Sequence, residues 1–168
     1  MKNDNRRASV TVLNIFLFAA AILLFGSTEL SLSIKHAYPF LVLSLLTAYS
    51  CFYNVSLSAL AGFLSGAFID SVAAGSYCFN TIGLMLLAVA ANRLSTSVLN
   101  KNLKACLTLC FIISLTYYLF YWLVFIAFSL GLKENLQYLL QYALPSCIYT
   151  SVFVVPFYFL YKKIKNQI

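Results

Sequence analysis

The sequence predicts an all-α integral membrane protein with about six transmembrane helices, organised as a single polytopic domain over residues 1–168. Hydrophobic residues make up 62% of the 168 positions and charged residues 9%, whereas soluble domains carry about 25% charge. A soluble fold of this length could not hide so much apolar surface, so we expect the lipid bilayer to be its solvent. The aromatic share of 17% is typical of a chain with many membrane–water interfaces, where amphipathic rings collect.

Six apolar runs follow one another along the chain. Each is long enough, or nearly long enough, for the roughly 20 residues that a spanning helix needs. The polar stretch at 95–104 is the clearest connection between them. The first run has a basic start but no small-residue cleavage site, so we expect an uncleaved span and not a signal peptide. The predicted runs cover residues 10–32, 38–53, 55–74, 77–94, 105–130 and 139–161.

Prolines and short polar residues add detail to these runs. Pro39 opens the second run, and proline suits the first turn of a helix; this run is short and could be partly re-entrant. Asn54 and Ser56 mark the turn into the third run. Pro145 and Pro156 each remove a backbone hydrogen bond from the sixth run, so we expect this helix to bend.

The basic residues lie at the ends of the apolar runs and form no patch, which favours a role in membrane topology over nucleic-acid binding. The net charge is +7, from 11 Lys and Arg against 4 Asp and Glu. With six spans and a cytoplasmic N-terminus, nine of the 11 fall on the cytoplasmic side and the other two, Lys35 and Lys133, fall outside. We therefore expect both termini in the cytoplasm, with tails at 1–9 and 162–168. The nine are Lys2, Arg6, Arg7, Arg93, Lys101, Lys104, Lys162, Lys163 and Lys165.

No pattern of residues indicates catalysis, a cofactor or a metal site. The chain has neither a phosphate-binding glycine loop nor a paired-histidine zinc motif, and its one histidine, His36, is predicted to lie in a loop. Cys106 and Cys110 share a helix face but have no histidine or carboxylate close by in sequence, which makes them a poor metal site. We expect all five cysteines to be small apolar packing residues.

A stripe of small residues sets the third run apart. Five positions recur every four residues and so lie on one face of a helix; they are Ser58, Gly62, Gly66, Asp70 and Ala74. Gly62 and Gly66 allow a neighbouring helix to approach closely, and in lipid such packing drives helix association. The stripe is either an ordinary internal packing face or a face that binds a partner protein.

Asp70 lies on this stripe, near the predicted outer end of its span. A carboxylate at mid-depth in the bilayer costs about 2.5–3.5 kcal/mol on insertion, so we expect Asp70 to face protein. Arg93 falls at the opposite end of the next span, which excludes it as a partner. Two interpretations stay open: a structural cap for the tight turn that contains Gly75, or a site for a ligand or a proton. The candidate partners are Lys35, His36 and Asn80.

The segment at 61–81, AGFLSGAFIDSVAAGSYCFNT, resembles the rod shape-determining protein MreD family. That family shows a glycine pair, an acid four residues later and a further glycine after a short turn. The matching positions here are Gly62, Gly66, Asp70 and Gly75, with Asn80 in the stretch that follows. The resemblance implies a multi-pass protein of the bacterial inner membrane, with a fold similar to the substrate-binding S-components of energy-coupling-factor transporters.

The resemblance also implies a non-enzymatic scaffold of the bacterial cell-elongation machinery. Its expected partners are the bitopic protein MreC, the actin-like MreB, and the glycosyltransferase and transpeptidase that build the lateral wall; no nucleic-acid partner is expected. The similarity to S-components supplies the alternative, a substrate-binding subunit of a vitamin-type transporter. In that alternative the ligand would contact Asp70, Asn80 and Trp122.

Overall fold

The computed structural model describes residues 14–21, 39–72, 78–97, 102–126 and 138–166. Within these ranges the chain is helical, with short connections and no strand. Helix α1 covers residues 14–21. One π-helical segment continues α5, and another precedes α6. The remaining bounds are α2 Leu41–Phe52, α3 Val55–Val72, α4 Phe79–Ser97, α5 Leu103–Tyr121, π-helix Trp122–Ile126, π-helix Leu139–Ala143 and α6 Leu144–Asn166.

Three helical stretches in the described ranges are long and apolar enough to cross a membrane. They are Val55–Val72, Leu103–Phe125 and Leu139–Lys165. Helix α2 is apolar too but has only 12 residues. The all-helical class that the sequence predicts is therefore confirmed, and its apolar helices are those of a membrane protein.

Pro39 precedes α2 and does not lie in its first turn, contrary to the prediction. Phe40 is the residue before the helix. Its carbonyl oxygen accepts hydrogen bonds from the backbone N–H groups of Leu43 and Ser44, at 3.0 and 3.2 Å. Proline has no backbone N–H with which to donate such a bond. At position 39 it lies outside the helix, where no such bond is needed.

Two positions predicted as connections are helical. Ser56 lies in the first turn of α3, which begins directly after Asn54. Helix α4 continues to Ser97, three residues into the predicted loop at 95–104. The hydroxyl of Thr96 donates to a carbonyl oxygen one turn earlier, at 3.0 Å. A short polar side chain that bonds its own backbone in this way remains compatible with a helix.

The two prolines of the last helix have different surroundings. Pro156 lies inside α6, and Pro145 is the second residue of α6, directly after the π-helical segment Leu139–Ala143. Irregular helical turns often accompany such breaks in the hydrogen-bond ladder. A π-helical turn thus precedes Pro145, and the bends expected at the two prolines stay predictions.

Helix α2 forms the centre of the described bundle. Eleven of its 12 residues are buried, and a helix that is apolar on every side reaches this state only when other helices surround it. At 1.5 Å per residue it is about 18 Å long, shorter than the roughly 30 Å apolar thickness of a bilayer. Its serine and threonine hydroxyls are buried as well, and each donates to a carbonyl oxygen of the same helix; they belong to Ser44, Thr47 and Ser50.

The neighbours of α2 alternate in direction. Near the end of α2, Cys51 Sγ lies 3.7 Å from Cys106 Sγ, close to the start of α5. One turn earlier in α2, Thr47 Oγ1 lies 3.8 Å from Cys110 Sγ, one turn later in α5. The two helices are therefore antiparallel.

Helix α6 runs parallel to α2. Before the start of α2, the backbone N–H of Phe40 donates to Thr150 Oγ1 at 3.0 Å. Near the end of α2, the ring of Tyr49 packs edge-on against Tyr161, with ring centroids 5.7 Å apart. From the first pair to the second, the residue number rises in both helices, so α2 and α6 point the same way.

Helices α1 and α4 complete the alternation. The ring of Phe18 packs against Tyr49 at 5.8 Å, and Asn14 Nδ2 donates to the hydroxyl of Tyr53 at 3.4 Å, so α1 is antiparallel to α2. Asn92, near the end of α4, donates to the carbonyl oxygen of Tyr53 at 2.6 Å. The starts of α1 and α5 therefore meet the ends of α2, α4 and α6.

The described charges separate between the two ends of this bundle. At the end just defined, which we name the basic end, five basic residues are exposed: Arg93, Lys104, Lys162, Lys163 and Lys165. Asp70, the one carboxylate in the described ranges, lies at the opposite end, next to the start of α4. Four basic residues that the sequence assigns to the same side as the basic end lie outside the described residues: Lys2, Arg6, Arg7 and Lys101.

Four of the five cysteines are buried packing residues, as predicted, and one is not. Cys78 is exposed, directly before α4, and has a φ of 61°. The prediction for Cys78 was wrong because its apolar neighbours in sequence do not reveal that this side chain lies on the surface of the bundle. No group of three or more metal-binding side chains occurs in the part of the chain that the structure describes. The four buried thiols belong to Cys51, Cys106, Cys110 and Cys147.

The glycines of α3 pack against the backbone of α4. A Cβ placed on Gly62 would lie 2.6 Å from the carbonyl oxygen of Leu84. A Cβ on Gly66 would overlap the carbonyl oxygen of Asn80. Both obstacles are backbone atoms of α4, which cannot rotate away as a flexible side chain would. The face that the sequence offered either for internal packing or for a partner is thus covered by the protein's own α4.

We expect Gly62→Ala and Gly66→Ala each to lower the melting temperature of the detergent-purified protein, because the added methyl group forces α3 away from α4. Overpacking of this kind costs about 1–3 kcal/mol. Gly83→Ala is the matched control, because a Cβ there meets nothing within 4 Å and alanine favours a helix. Equal melting temperatures for all three variants would contradict the close α3–α4 contact.

Candidate functional site

The carboxylate of Asp70 binds the first turn of α4 through four hydrogen bonds. Its Oδ1 accepts from the backbone N–H of Asn80 at 3.2 Å and from Asn80 Nδ2 at 2.8 Å. Its Oδ2 accepts from the backbone N–H of Thr81 at 2.7 Å and from Thr81 Oγ1 at 2.6 Å. Each carboxylate oxygen therefore receives two donors from one residue of α4.

These four hydrogen bonds supply partners for N–H groups at the start of α4. The first N–H groups of any helix lack partners within the helix, and a nearby anion also gains from the helix dipole. Asn80 and Thr81 are the second and third residues of α4, the positions whose N–H groups a capping side chain usually binds. Here the cap comes from the end of α3. Gly75, which the sequence places in the intervening turn, lies outside the described residues.

Tyr117 connects a third helix, α5, to Asn80. The hydroxyl of Tyr117, on α5, donates to Asn80 Oδ1 at 2.6 Å, and both residues are buried. The ring of Tyr117 also packs against Phe40, ahead of α2, with centroids 4.9 Å apart. Asp70 and Asn80, which the sequence suggested as partners, are thus brought together. Tyr117 was missed because its sequence signal is an aromatic cluster in which no one ring stands out.

The described arrangement is that of a cap that joins helices. The bonds from Asn80 and Thr81 give each carboxylate oxygen of Asp70 two donors, and the side-chain oxygen of Asn80 accepts the Tyr117 hydroxyl. The two other candidate partners, Lys35 and His36, lie outside the described residues. Arg93 is 13 residues further along α4 than Asn80, which corresponds to about 20 Å, so it is separated from the carboxylate as expected.

An apolar groove lies between α4 and α5, next to this cap. Its volume is about 430 Å³, and it is open on one side. Gly83 forms part of its wall, and a Cβ there would meet nothing within 4 Å. Gly83 therefore leaves an open notch, unlike the two glycines of α3. The lining residues are Cys78, Phe79, Ile82, Gly83, Leu86, Leu87, Tyr117, Phe120, Val124 and Phe125.

Comparison with known protein families matches residues 5–167 to the rod shape-determining protein MreD. The chain belongs to the MreD family. Because the match spans essentially the whole chain, the resemblance drawn from the segment at 61–81 is confirmed. No curated protein and no solved structure matches the chain significantly.

Membership of the MreD family gives the site its context. MreD proteins are shape-determining membrane proteins, so this chain has a role in rod shape determination. The family is not a known enzyme family. The capped Asp70 and the groove are therefore features of a shape-determining membrane protein.

We expect Asp70→Asn to destabilise the protein without unfolding α4 itself. An asparagine side chain has one acceptor oxygen, and its amide group would meet the donors of either Asn80 or Thr81. Leaving these partly buried donors unpaired costs up to about 1–3 kcal/mol, which a lower melting temperature in detergent would show. Ser71→Ala is the control, because that exposed hydroxyl bonds only to Phe68 in its own helix. A variant as stable as the wild type would contradict the capping role.

Tyr117→Phe tests the third helix separately. We expect a loss of about 1–3 kcal/mol, because the substitution leaves the buried Asn80 Oδ1 without its donor. The measurement is thermal unfolding in the same detergent, compared with Tyr121→Phe, in which an exposed tyrosine of the same helix loses its hydroxyl. If the two variants melt alike, the Tyr117–Asn80 bond contributes nothing to stability.

Proposed function

We propose that this MreD-family protein is a non-enzymatic scaffold of the cell-elongation machinery, spanning the bacterial inner membrane six times with both termini in the cytoplasm. It would connect MreC and the MreB filament to the glycosyltransferase and transpeptidase of the lateral wall. The observation that carries the proposal is the family match over residues 5–167.

The alternating helix directions support the proposed topology. In an up-and-down bundle, the start of α1 and the end of α6 lie on the same side, which agrees with two cytoplasmic termini. The described cations gather at that same end, and an excess of Lys and Arg is typical of cytoplasmic connections. Asp70 would then lie near the outer surface, and the basic tail at 162–168 would face the MreB filament.

The groove between α4 and α5 is the surface that we assign to MreC. The glycine stripe of α3 is not available, because α4 covers Gly62 and Gly66. Gly83 instead offers open space, and a glycine inside a helix costs about 1 kcal/mol relative to alanine. Small residues let a second helix approach closely in lipid, so the notch suits the single transmembrane helix of a bitopic protein.

Gly83→Leu tests this assignment. We expect the variant to fold normally, because its side chain fills open space, and to lose co-purification with MreC from solubilised membranes. Cells that carry only the variant should become round. Ile148→Phe is the control, because it enlarges an exposed side chain on α6, away from the groove. Rod-shaped cells and intact MreC recovery with a folded Gly83→Leu protein would overturn the groove as the docking surface.

The transport alternative receives less support from the cavity. Asp70 and Asn80 bind each other and the start of α4, and Trp122 lies half-buried in the π-helical segment that follows α5. The groove lining is apolar apart from the Cys78 thiol and the Tyr117 hydroxyl, and that hydroxyl already donates to Asn80. Such a cavity suits an apolar segment better than a polar vitamin.

A further inference from the structure

The basic end has a composition that the docking of MreC in the groove does not explain. Its five described cations come from the ends of α4 and α6 and from the start of α5, and all five are exposed. The one described carboxylate lies at the other end of α4, about 20 Å away by helix rise. Within the described ranges the basic end therefore carries five cations, and the one described carboxylate lies at the opposite end.

A cluster of tyrosine rings lies at the same end of the bundle. Tyr49 and Tyr53 stack with centroids 4.2 Å apart, and Tyr161 packs edge-on against both. Lys162 Nζ lies 5.9 Å from the centre of the Tyr158 ring. Tyrosine collects at the level of lipid headgroups, and lysine extends its charged group from apolar surroundings towards water. Tyr49, Tyr158 and Tyr161 are buried between the helices, so the part of this end that can meet headgroups consists of the exposed cations and the half-buried Tyr53.

We infer that the basic end binds the phosphate groups of anionic phospholipids in the leaflet that it faces. Clusters of four to eight Lys and Arg beside a membrane helix attract anionic headgroups, and each such residue contributes about 1 kcal/mol near the surface. Three of the five cations follow one another closely at the end of α6, and the other two extend the positive surface across α4 and α5. Charge complementarity selects an anionic headgroup over a zwitterionic one.

The test uses full-length protein in mild detergent and compares phosphatidylglycerol with phosphatidylcholine of the same acyl chains. Native mass spectrometry counts the lipids retained, and a titration gives the apparent Kd. We expect preference for phosphatidylglycerol, with affinity that falls as salt screens the charges. In the triple variant K162Q/K163Q/K165Q, affinity should fall about fivefold for each lysine removed, or roughly a hundredfold in total.

The matched control is K162R/K163R/K165R, which keeps the charge and should keep the lipid preference. Equal binding of the two lipids by the wild type would overturn the inference, and so would unchanged phosphatidylglycerol affinity in the glutamine variant. The exposed lysines are remote from the groove, so MreC recovery in the glutamine variant separates this inference from the scaffold proposal.

Discussion

The carboxylate of Asp70 at the start of α4 is the interaction on which the described bundle depends. It fixes the end of α3 against α4, and the glycine contacts further down the same two helices follow from that alignment. Asn80 in turn accepts a hydrogen bond from Tyr117 on α5. The ring of Tyr117 packs against Phe40, which precedes α2. In a membrane, where water supplies few alternative partners, a half-buried anion such as Asp70 is stabilised when it is bonded in this way.

The sequence predicted the parts of this arrangement that depend on spacing. A four-residue period placed Gly62, Gly66 and Asp70 on one face, and insertion cost required the acid to face protein; Asn80 was among its candidate partners. The separation of Arg93 from Asp70 also followed from helix direction alone. These features were accessible because each rests on a periodicity or on a charge that lipid would not accept.

Other features were beyond sequence reasoning, because lipid and protein interior are equally apolar. The sequence of helix α2 is typical of a short transmembrane span, yet the helix is enclosed on all sides. Nothing in its composition distinguishes contact with other helices from contact with lipid. The same ambiguity hid the groove: Gly83 is one glycine in an apolar run, and only the structure shows that the space beside it is open. Cys78 was misjudged for a related reason, since the exposure of its side chain is a tertiary property.

A double-mutant cycle between Asp70 and Thr81 tests the central interaction most directly. The free energy of unfolding would be measured in lipid bicelles for Asp70→Asn, Thr81→Val and the double variant. A carboxylate that binds the start of α4 predicts a coupling energy of about 1 kcal/mol or more, since hydrogen bonds to charged groups contribute about 1.5–3 kcal/mol. Effects that add to within about 0.5 kcal/mol, as for independent sites, would contradict the account.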